Sequence, residues 1–177
     1  SLPSTGCSFV MSGGQLNIAG TSNNEFMLIN ADDNDIVATA GVVNITGGNG
    51  GIAVNGKPFY DLTLANNTTH VRMDRAVNVT NDLNLGTGTT LNANALDLTI
   101  QGDFVNDLGT YIPNGNITTF NSDNDNQEIR GVEDFGTLRI ENIHSGGVVS
   151  ISAIGSFTDV DLTGDLEVER GGLFLGK

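Results

Sequence analysis

The stretch Val77-Asn78-Val79-Thr80-Asn81-Asp82-Leu83-Asn84-Leu85 decides the fold of this chain. Its apolar residues alternate with polar ones on both sides of an Asn-Asp pair, which is typical of two short strands joined at a corner. The order apolar, polar, Gly or Asn, Asp, apolar occurs three times, at residues 79–83, 100–104 and 162–166. The first two aspartates are 21 residues apart and the third follows after 62, which is close to three such intervals.

A period near 21 residues is what one turn of a three-sided β-solenoid requires, with three short strands and three corners. Apolar residues separated by one polar residue recur along the chain, in pairs such as Leu62/Leu64, Leu83/Leu85 and Leu138/Ile140. A β-sandwich also alternates in this way, but it has no reason to repeat its strands at constant spacing. We therefore predict an all-β chain folded as a right-handed parallel β-helix, with about 21 residues per turn and roughly eight turns.

The composition agrees with this prediction and excludes several classes of partner. Of 177 residues, 24 are Gly, 22 Asn and 18 Thr, which favours short strands and tight turns over helices. The net charge of −14 excludes nucleic acid and anionic membrane surfaces as partners, because phosphate recognition needs clustered cations. No stretch approaches 18 apolar residues, so no membrane insertion is predicted. The single cysteine, Cys7, excludes an internal disulfide framework.

A longer similarity is superimposed on the basic period. Residues 56–66 and 131–142 both open with Gly and continue as Phe-x-x-Leu-x-[Leu/Ile]-x-Asn, and a weaker copy begins near Gln15. We expect residues 1–177 to be a single solenoid segment, with super-repeats near 15–55, 56–130 and 131–177. The apolar pattern runs to Leu175 without a polar cap, so we also expect the segment to continue into further repeats of the same, longer chain.

Two acidic clusters are candidates for a metal site. Asp32-Asp33-Asn34-Asp35 and residues 121–126 supply alternating carboxylate and amide oxygens, which calcium prefers, and Asp123 and Asp125 are the predicted ligands. The second cluster lacks the Gly and Glu that complete a helix-loop-helix calcium loop, so a solvated polar turn is the alternative. No other cofactor is predicted.

No catalytic residue is predicted. His70 and His144 lack the spacing of a zinc site and are interpreted as surface turn residues, and no nucleophile elbow or phosphate loop occurs. Arg72, Asp74 and Arg139 fall at outward positions and could face a carbohydrate. A carbohydrate-binding or polysaccharide-degrading β-helix domain is therefore the first alternative, since glycoside hydrolysis needs two facing carboxylates. An ice-binding solenoid is the second, on the outward threonines among residues 87, 89, 90, 118 and 119.

The C-terminal half carries a family resemblance. Its motifs are Gln127-Glu128-Ile129-Arg130-Gly131, Phe135-Gly136-Thr137-Leu138-Arg139-Ile140-Glu141-Asn142, Val160-Asp161-Leu162-Thr163-Gly164-Asp165-Leu166-Glu167-Val168 and Gly171-Gly172-Leu173. As a set they resemble the repeats of very large surface proteins of Bacteroidetes, including gliding-motility adhesins and other cargo of the type IX secretion system. The resemblance covers about residues 52–177, with Asn121-Ser122 where Asn-Gly is usual and Asn81 where Gly is usual.

This resemblance implies an extracellular location at a bacterial cell surface. It also implies a structural or adhesive stalk rather than a catalyst. The partners it implies are surface polysaccharide or other cell-surface proteins.

Overall fold

The computed structural model describes residues 8–20, 26–29, 35–65, 67–152 and 159–175. Within these ranges the chain forms β-strands, and all of the paired strands are parallel. Face 1 is an eight-stranded sheet of β1 (Phe9–Ile18), β3 (Ile36–Ile45), β5 (Asp61–Leu64), β8 (Leu83–Leu85), β11 (Phe104–Asn106), β14 (Gln127–Arg130), β17 (Val148–Ser152) and β20 (Gly172–Leu175). Face 2 contains β7 (Val77–Val79), β10 (Leu98–Ile100), β13 (Ile117–Phe120), β16 (Thr137–Glu141) and β19 (Leu166–Arg170). Face 3 contains β2 (Met27–Ile29), β4 (Gly48–Val54), β6 (Thr69–Met73), β9 (Thr90–Asn92) and β12 (Thr110–Ile112), and the pair β15 (Val132–Phe135) and β18 (Asp159–Leu162) takes the same place in later coils. No helix in the described ranges is long and apolar enough to cross a membrane.

The chain passes from face 1 to face 3 to face 2 and back to face 1, and each strand pairs with its equivalents in the coils before and after it. This is a β-solenoid of about six turns, which confirms the prediction of an all-β fold with stacked parallel strands. In the central coils, hydrogen bonds between stacked positions join residues 20 to 22 apart. The interval lengthens to 25 between Asp103 and Glu128 and to 28 between Arg139 and Glu167, because the corners there are longer.

The core is made of columns of apolar side chains that run along the solenoid. On face 1, Leu62 pairs with Leu83, Leu83 with Phe104 and Phe104 with Ile129, and all four are fully buried. Alternation along each strand places the intervening polar residues on the outer surface, as the sequence pattern predicts. Each coil therefore buries its apolar face against its neighbours, which supply the stability that one coil lacks.

An aromatic cluster replaces the aliphatic columns in the middle of the solenoid. The ring of Phe135 lies 6.2 Å from Phe104, 5.9 Å from Tyr111 and 6.5 Å from Phe120, mostly in edge-to-face orientation. The buried Tyr111 hydroxyl lies 2.9 Å from Thr118 Oγ1 and accepts a hydrogen bond from Asn116 at 2.8 Å. The Tyr111 and Thr118 hydroxyls are thus hydrogen-bonded inside the core, whereas Oδ1 of Asn116 is buried with no hydrogen-bond partner among the described residues.

Neither the five-residue corner motif nor the longer similarity keeps to one position in the coil. Residues 79–83 and 100–104 both form the corner from face 2 to face 1, but residues 162–166 form the corner from face 3 to face 2. Likewise, Leu62 and Leu64 lie on face 1, whereas their counterparts Leu138 and Ile140 lie on face 2. The corner motif is therefore used at two different corners, and the third aspartate is not stacked above the first two.

Candidate functional site

A ladder of aspartates runs along the corner between face 2 and face 1. The backbone N–H of Asp82 donates to Oδ1 of Asp61 at 3.2 Å, and the N–H of Asp103 donates to Oδ1 of Asp82 at 2.9 Å. The N–H of Glu128 continues the series by donating to Oδ1 of Asp103 at 2.8 Å. We call Asp61, Asp82 and Asp103 the aspartate ladder, and each of its members ties one coil to the next.

The residues before Asp82 and Asp103 are Asn81 and Gly102, and close stacking of the corners restricts both positions. A Cβ at Gly102 would lie 2.6 Å from the backbone oxygen of Asn81, which is closer than packed atoms approach. At the same position one coil earlier, the Asn81 side chain donates to Oδ1 of Asp61 at 2.7 Å. The Gly or Asn that precedes Asp in the sequence motif is thus explained by close stacking of the corners.

Beside the ladder lies a groove with a cavity volume of about 350 Å³. We call it the corner groove, and its walls are Tyr60 and residues 80–82, 101–103 and 122–126. Buried Gln127 fixes the outer wall, because its amide donates to the Gly102 carbonyl at 2.9 Å while its Oε1 accepts from the Ser122 N–H at 3.1 Å. The groove presents carboxylates, side-chain amides and one phenol, which are groups that bind hydroxylated ligands.

Asp103, which lines the groove, and Glu128, which bonds to it from the next coil, have pKa values displaced in opposite directions. Burial raises the pKa of Asp103, and the neighbouring carboxylates of Asp82 and Glu128 raise it further. The pKa of Glu128 is lowered, chiefly by the hydrogen bond from the Ser152 hydroxyl and then by its ion pair with Arg130. A carboxyl with a raised pKa beside a second carboxylate resembles the acid and base of a glycosidase. One oxygen of each ladder aspartate is nevertheless engaged in holding the next coil.

The predicted calcium ligands lie on the rim of the corner groove. Asp123 and Asp125 are both exposed, and Oδ1 of Asp125 accepts from the Asn126 N–H at 2.8 Å while Asp123 accepts from the Asn124 amide. Across the part of the chain that the structure describes, no three His, Cys, Asp or Glu side chains lie close enough together to hold a metal. Of the other predicted cluster, residues 32–34 lie outside the described ranges.

The outward cationic residues do not converge on one surface. Arg72, on face 3, is paired with Asp74 at 2.6 Å, whereas Arg139, on face 2, is paired with Glu167 at 2.6 Å. All three residues of the predicted carbohydrate-facing set are outward, but they lie on two faces. The two histidines also occupy different positions, since His70 is within β6 and His144 is in the turn after β16.

The threonines considered for ice binding are divided between the core and the surface. Thr89 and Thr118 are buried, and Thr87 is exposed in a turn. Thr90 lies on face 3 beside His70 and Thr110, whereas Thr119 lies on face 2 beside Thr99 and Arg139. The outward threonines therefore form two short columns, one on face 3 and one on face 2, and not one array on a single face.

Comparison of the chain with protein-family models, with curated proteins and with solved structures finds no match. The assignment of function therefore depends on the geometry described above and on the chemistry of the residues.

Proposed function

We propose that this chain is a non-catalytic structural and adhesive stalk module of a secreted bacterial cell-surface protein. The observation that carries the proposal is the unbroken stacking of Leu62, Leu83, Phe104 and Ile129 across four coils of one face, reinforced by the aspartate ladder on the adjacent corner. Load along such a stack is shared among many parallel hydrogen bonds and a continuous apolar interior. The family resemblance to Bacteroidetes gliding-motility and type IX secretion proteins points in the same direction.

The outer surface supports an extracellular role. Its cations are mostly neutralised locally, as in the pairs Arg72–Asp74 and Arg139–Glu167, and the chain keeps a net charge of −14. A strongly acidic surface keeps neighbouring rods from associating through non-specific contacts. Surface polysaccharide or other cell-surface proteins are the partners of the adhesive function.

We propose that the coils wind with a right hand, because parallel crossovers strongly prefer that hand.

The experiment that tests this proposal separates a stalk from an enzyme. The purified chain is incubated with a panel of neutral and acidic polysaccharides, and released reducing ends and unsaturated products are measured. In parallel, beads coated with the chain are tested for retention on bacterial cells, against beads coated with an unrelated protein of equal negative charge. The proposal expects retention above the control and no product. Product formation that is lost in Asp103→Asn would overturn it in favour of catalysis, and retention equal to the control would overturn the adhesive part.

A polysaccharide-binding role of the corner groove is the second candidate. It is favoured by the cavity of about 350 Å³, which is lined by Tyr60 together with Asp82 and Asp103. Neutral sugars suit this lining because carboxylates accept hydrogen bonds from sugar hydroxyls while the net charge opposes acidic chains. Binding of neutral oligosaccharides that is weakened by Tyr60→Ala, measured by titration calorimetry, is the expected result.

Calcium at Asp123 and Asp125 is a separate proposal, supported by two exposed carboxylates on one short loop. If calcium binds there, a chelator lowers the melting temperature of the native chain and leaves that of the Asp123→Asn/Asp125→Asn variant unchanged. An unchanged melting temperature of the native chain on adding chelator would overturn it.

A further inference from the structure

The corner between face 2 and face 1 changes its chemistry in the last two coils. In place of the ladder aspartates it carries the turn of His144, Gly146 and Gly147, followed one coil later by Arg170, Gly171 and Gly172. These residues surround an open cavity of about 570 Å³, which we call the Arg170 pocket. Among the described residues, this corner thus carries the ladder aspartates in the central coils and Arg170 in the last coil.

Arg170 differs from the other arginines of the described residues in its partners. Arg72 is paired with Asp74, Arg130 with Glu128 and Arg139 with Glu167. Arg75 donates to Oδ1 of Asn55 at 2.6 Å. Arg170 forms no ion pair with any residue that the structure describes, although the chain has three times as many acidic as basic residues. Its guanidinium is therefore free to bind an anion from outside the chain.

A bulge directs Arg170 to the outer surface. Ile140 pairs with Val168, but the next pair is Glu141 with Arg170, so Glu169 has no partner position. Alternation from the inward Val168 would place Arg170 on the inward side. The extra residue reverses that order and sets Arg170 opposite the outward Glu141, at the corner.

Apart from Arg170, the pocket is lined mainly by glycines and apolar side chains, which suit the ring of a ligand better than a second charged group. Glycines form the floor: a Cβ at Gly147 would overlap Oδ1 of Asn142, and a Cβ at Gly171 would lie 2.8 Å from the Asn142 carbonyl oxygen. Ile143 is 53% exposed and lies on the wall with Val148, so apolar C–H groups flank the exposed backbone. His144 adds an imidazole that can bond to a hydroxyl.

We propose that the Arg170 pocket binds a single uronic acid residue of a polysaccharide, with the guanidinium of Arg170 on the sugar carboxylate and the ring against Ile143 and Val148. Arginine binds a carboxylate through two parallel hydrogen bonds, which fixes the orientation as well as the charge. The cavity accommodates one or two sugar units and is much larger than an isolated carboxylate needs. A single uronate suits the site better than a polyanion, because the net charge of −14 repels long acidic chains.

This inference deepens the adhesive part of the proposed function by naming the ligand. Failure of this inference can be distinguished from failure of the proposed function. If uronate does not bind, the results of the polysaccharide-cleavage and bead-retention assays still stand.

The test is a titration of the isotope-labelled chain with D-glucuronate at low salt, followed by amide chemical shifts in nuclear magnetic resonance spectra. We expect saturable shifts at Gly146, Gly147, Gly171 and Gly172. Arg170→Gln should weaken binding by about tenfold or more, as expected for removal of a charge-assisted hydrogen bond. Arg72→Gln is the matched control, because Arg72 is an exposed outward arginine whose charge Asp74 already neutralises.

Two further ligands decide between recognition of a sugar acid and of a carboxylate alone. D-glucose has the sugar ring but no charge. N-acetyl-glutamate has carboxylates and an amide, as an acidic peptide does, but no sugar ring. The proposal expects both to bind much more weakly than glucuronate. Equal binding of N-acetyl-glutamate would overturn it in favour of an acidic peptide. Shifts that are absent at the four glycines, or that Arg170→Gln leaves unchanged while the spectrum remains that of the folded chain, would also overturn it.

Discussion

Asp82 and Asp103 are joined across two coils by one hydrogen bond, in which the backbone N–H of Asp103 donates to Oδ1 of Asp82 at 2.9 Å. Asp103 repeats the arrangement with the N–H of Glu128 in the next coil. An aspartate at this corner therefore has a structural task that is independent of any ligand. Substitutions that keep the acceptor oxygen can separate that task from the effect of the charge.

Replacing Asp82 with alanine leaves the Asp103 N–H without its acceptor and should lower the free energy of unfolding by about 1 kcal/mol. Asp82→Asn retains Oδ1 and should have a much smaller effect. Asp107→Ala is the control, because Asp107 is an exposed aspartate in the turn that directly follows β11. Urea denaturation measures all three, and an equal loss in Asp82→Ala and Asp107→Ala would contradict the structural role of the ladder.

Because the pKa of Asp103 is raised, its contribution to the free energy of unfolding should become less unfavourable on mild acidification. Burial and the carboxylates of Asp82 and Glu128 disfavour its ionised form in the folded chain, so the folded state binds the proton more tightly than the unfolded state. The ionised group is thus destabilising at neutral pH, and this penalty disappears as the pH falls through the folded-state pKa to the unfolded value near about 4. Glu128, with its lowered pKa, acts in the opposite sense and loses its stabilising contribution below about pH 4.

Asp103→Asn should therefore raise the melting temperature near neutral pH, because asparagine keeps the acceptor for the Glu128 N–H and removes the charge. The gain over the native chain should shrink as the pH is lowered and vanish below about pH 4. Melting curves of both proteins across this range provide the test, with Asp107→Asn as the exposed control. A gain that does not change with pH would show that charge is not the cause.

The repeating part of the fold can be predicted from the sequence because it depends on two local rules. Leu83 and Leu85 must share a face because strands have a period of two, and the Asn-Asp or Gly-Asp corner ends each strand after a few residues. Constant spacing between these corners then requires the coils to stack in parallel. The pairing of Leu62, Leu83 and Phe104 follows directly.

Features that depend on how the coils pack against each other could not be predicted from local sequence patterns. The motif at residues 162–166 has the same local pattern as residues 79–83, yet it forms a different corner, because the pattern encodes a turn and not its place in the coil. Arg170 is turned outward by a bulge that no residue type marks. Thr118 is buried beside Tyr111 in a column that is otherwise aliphatic, where simple alternation gives no reason for a hydroxyl.

The column of face 1 should be sensitive to cavities. Leu83 is fully buried between Leu62 and Phe104, so Leu83→Ala should lower the free energy of unfolding by about 2–5 kcal/mol. Asn84→Ala, one residue further along and on the outer surface, should have a small effect. Hydrogen exchange adds a spatial test: protection should fall first in the coils that contact position 83, because coils are stabilised by their neighbours. A uniform loss along the whole chain would contradict nearest-neighbour stacking.

Two glycines with positive φ separate the cost of backbone conformation from that of close packing. Gly115 has φ of 81°, and a Cβ there would meet nothing within 4 Å. Gly131 has φ of 116°, and its Cβ would overlap the backbone oxygen of Asn106 in the preceding coil. Gly115→Ala should therefore cost about 1 kcal/mol, the penalty of the left-handed conformation alone. Gly131→Ala should be more destabilising by at least about 1 kcal/mol, since the coils must also move apart. Denaturation of the two variants measures the difference, and equal losses would mean that the coils at Gly131 are packed less closely than the structure has them.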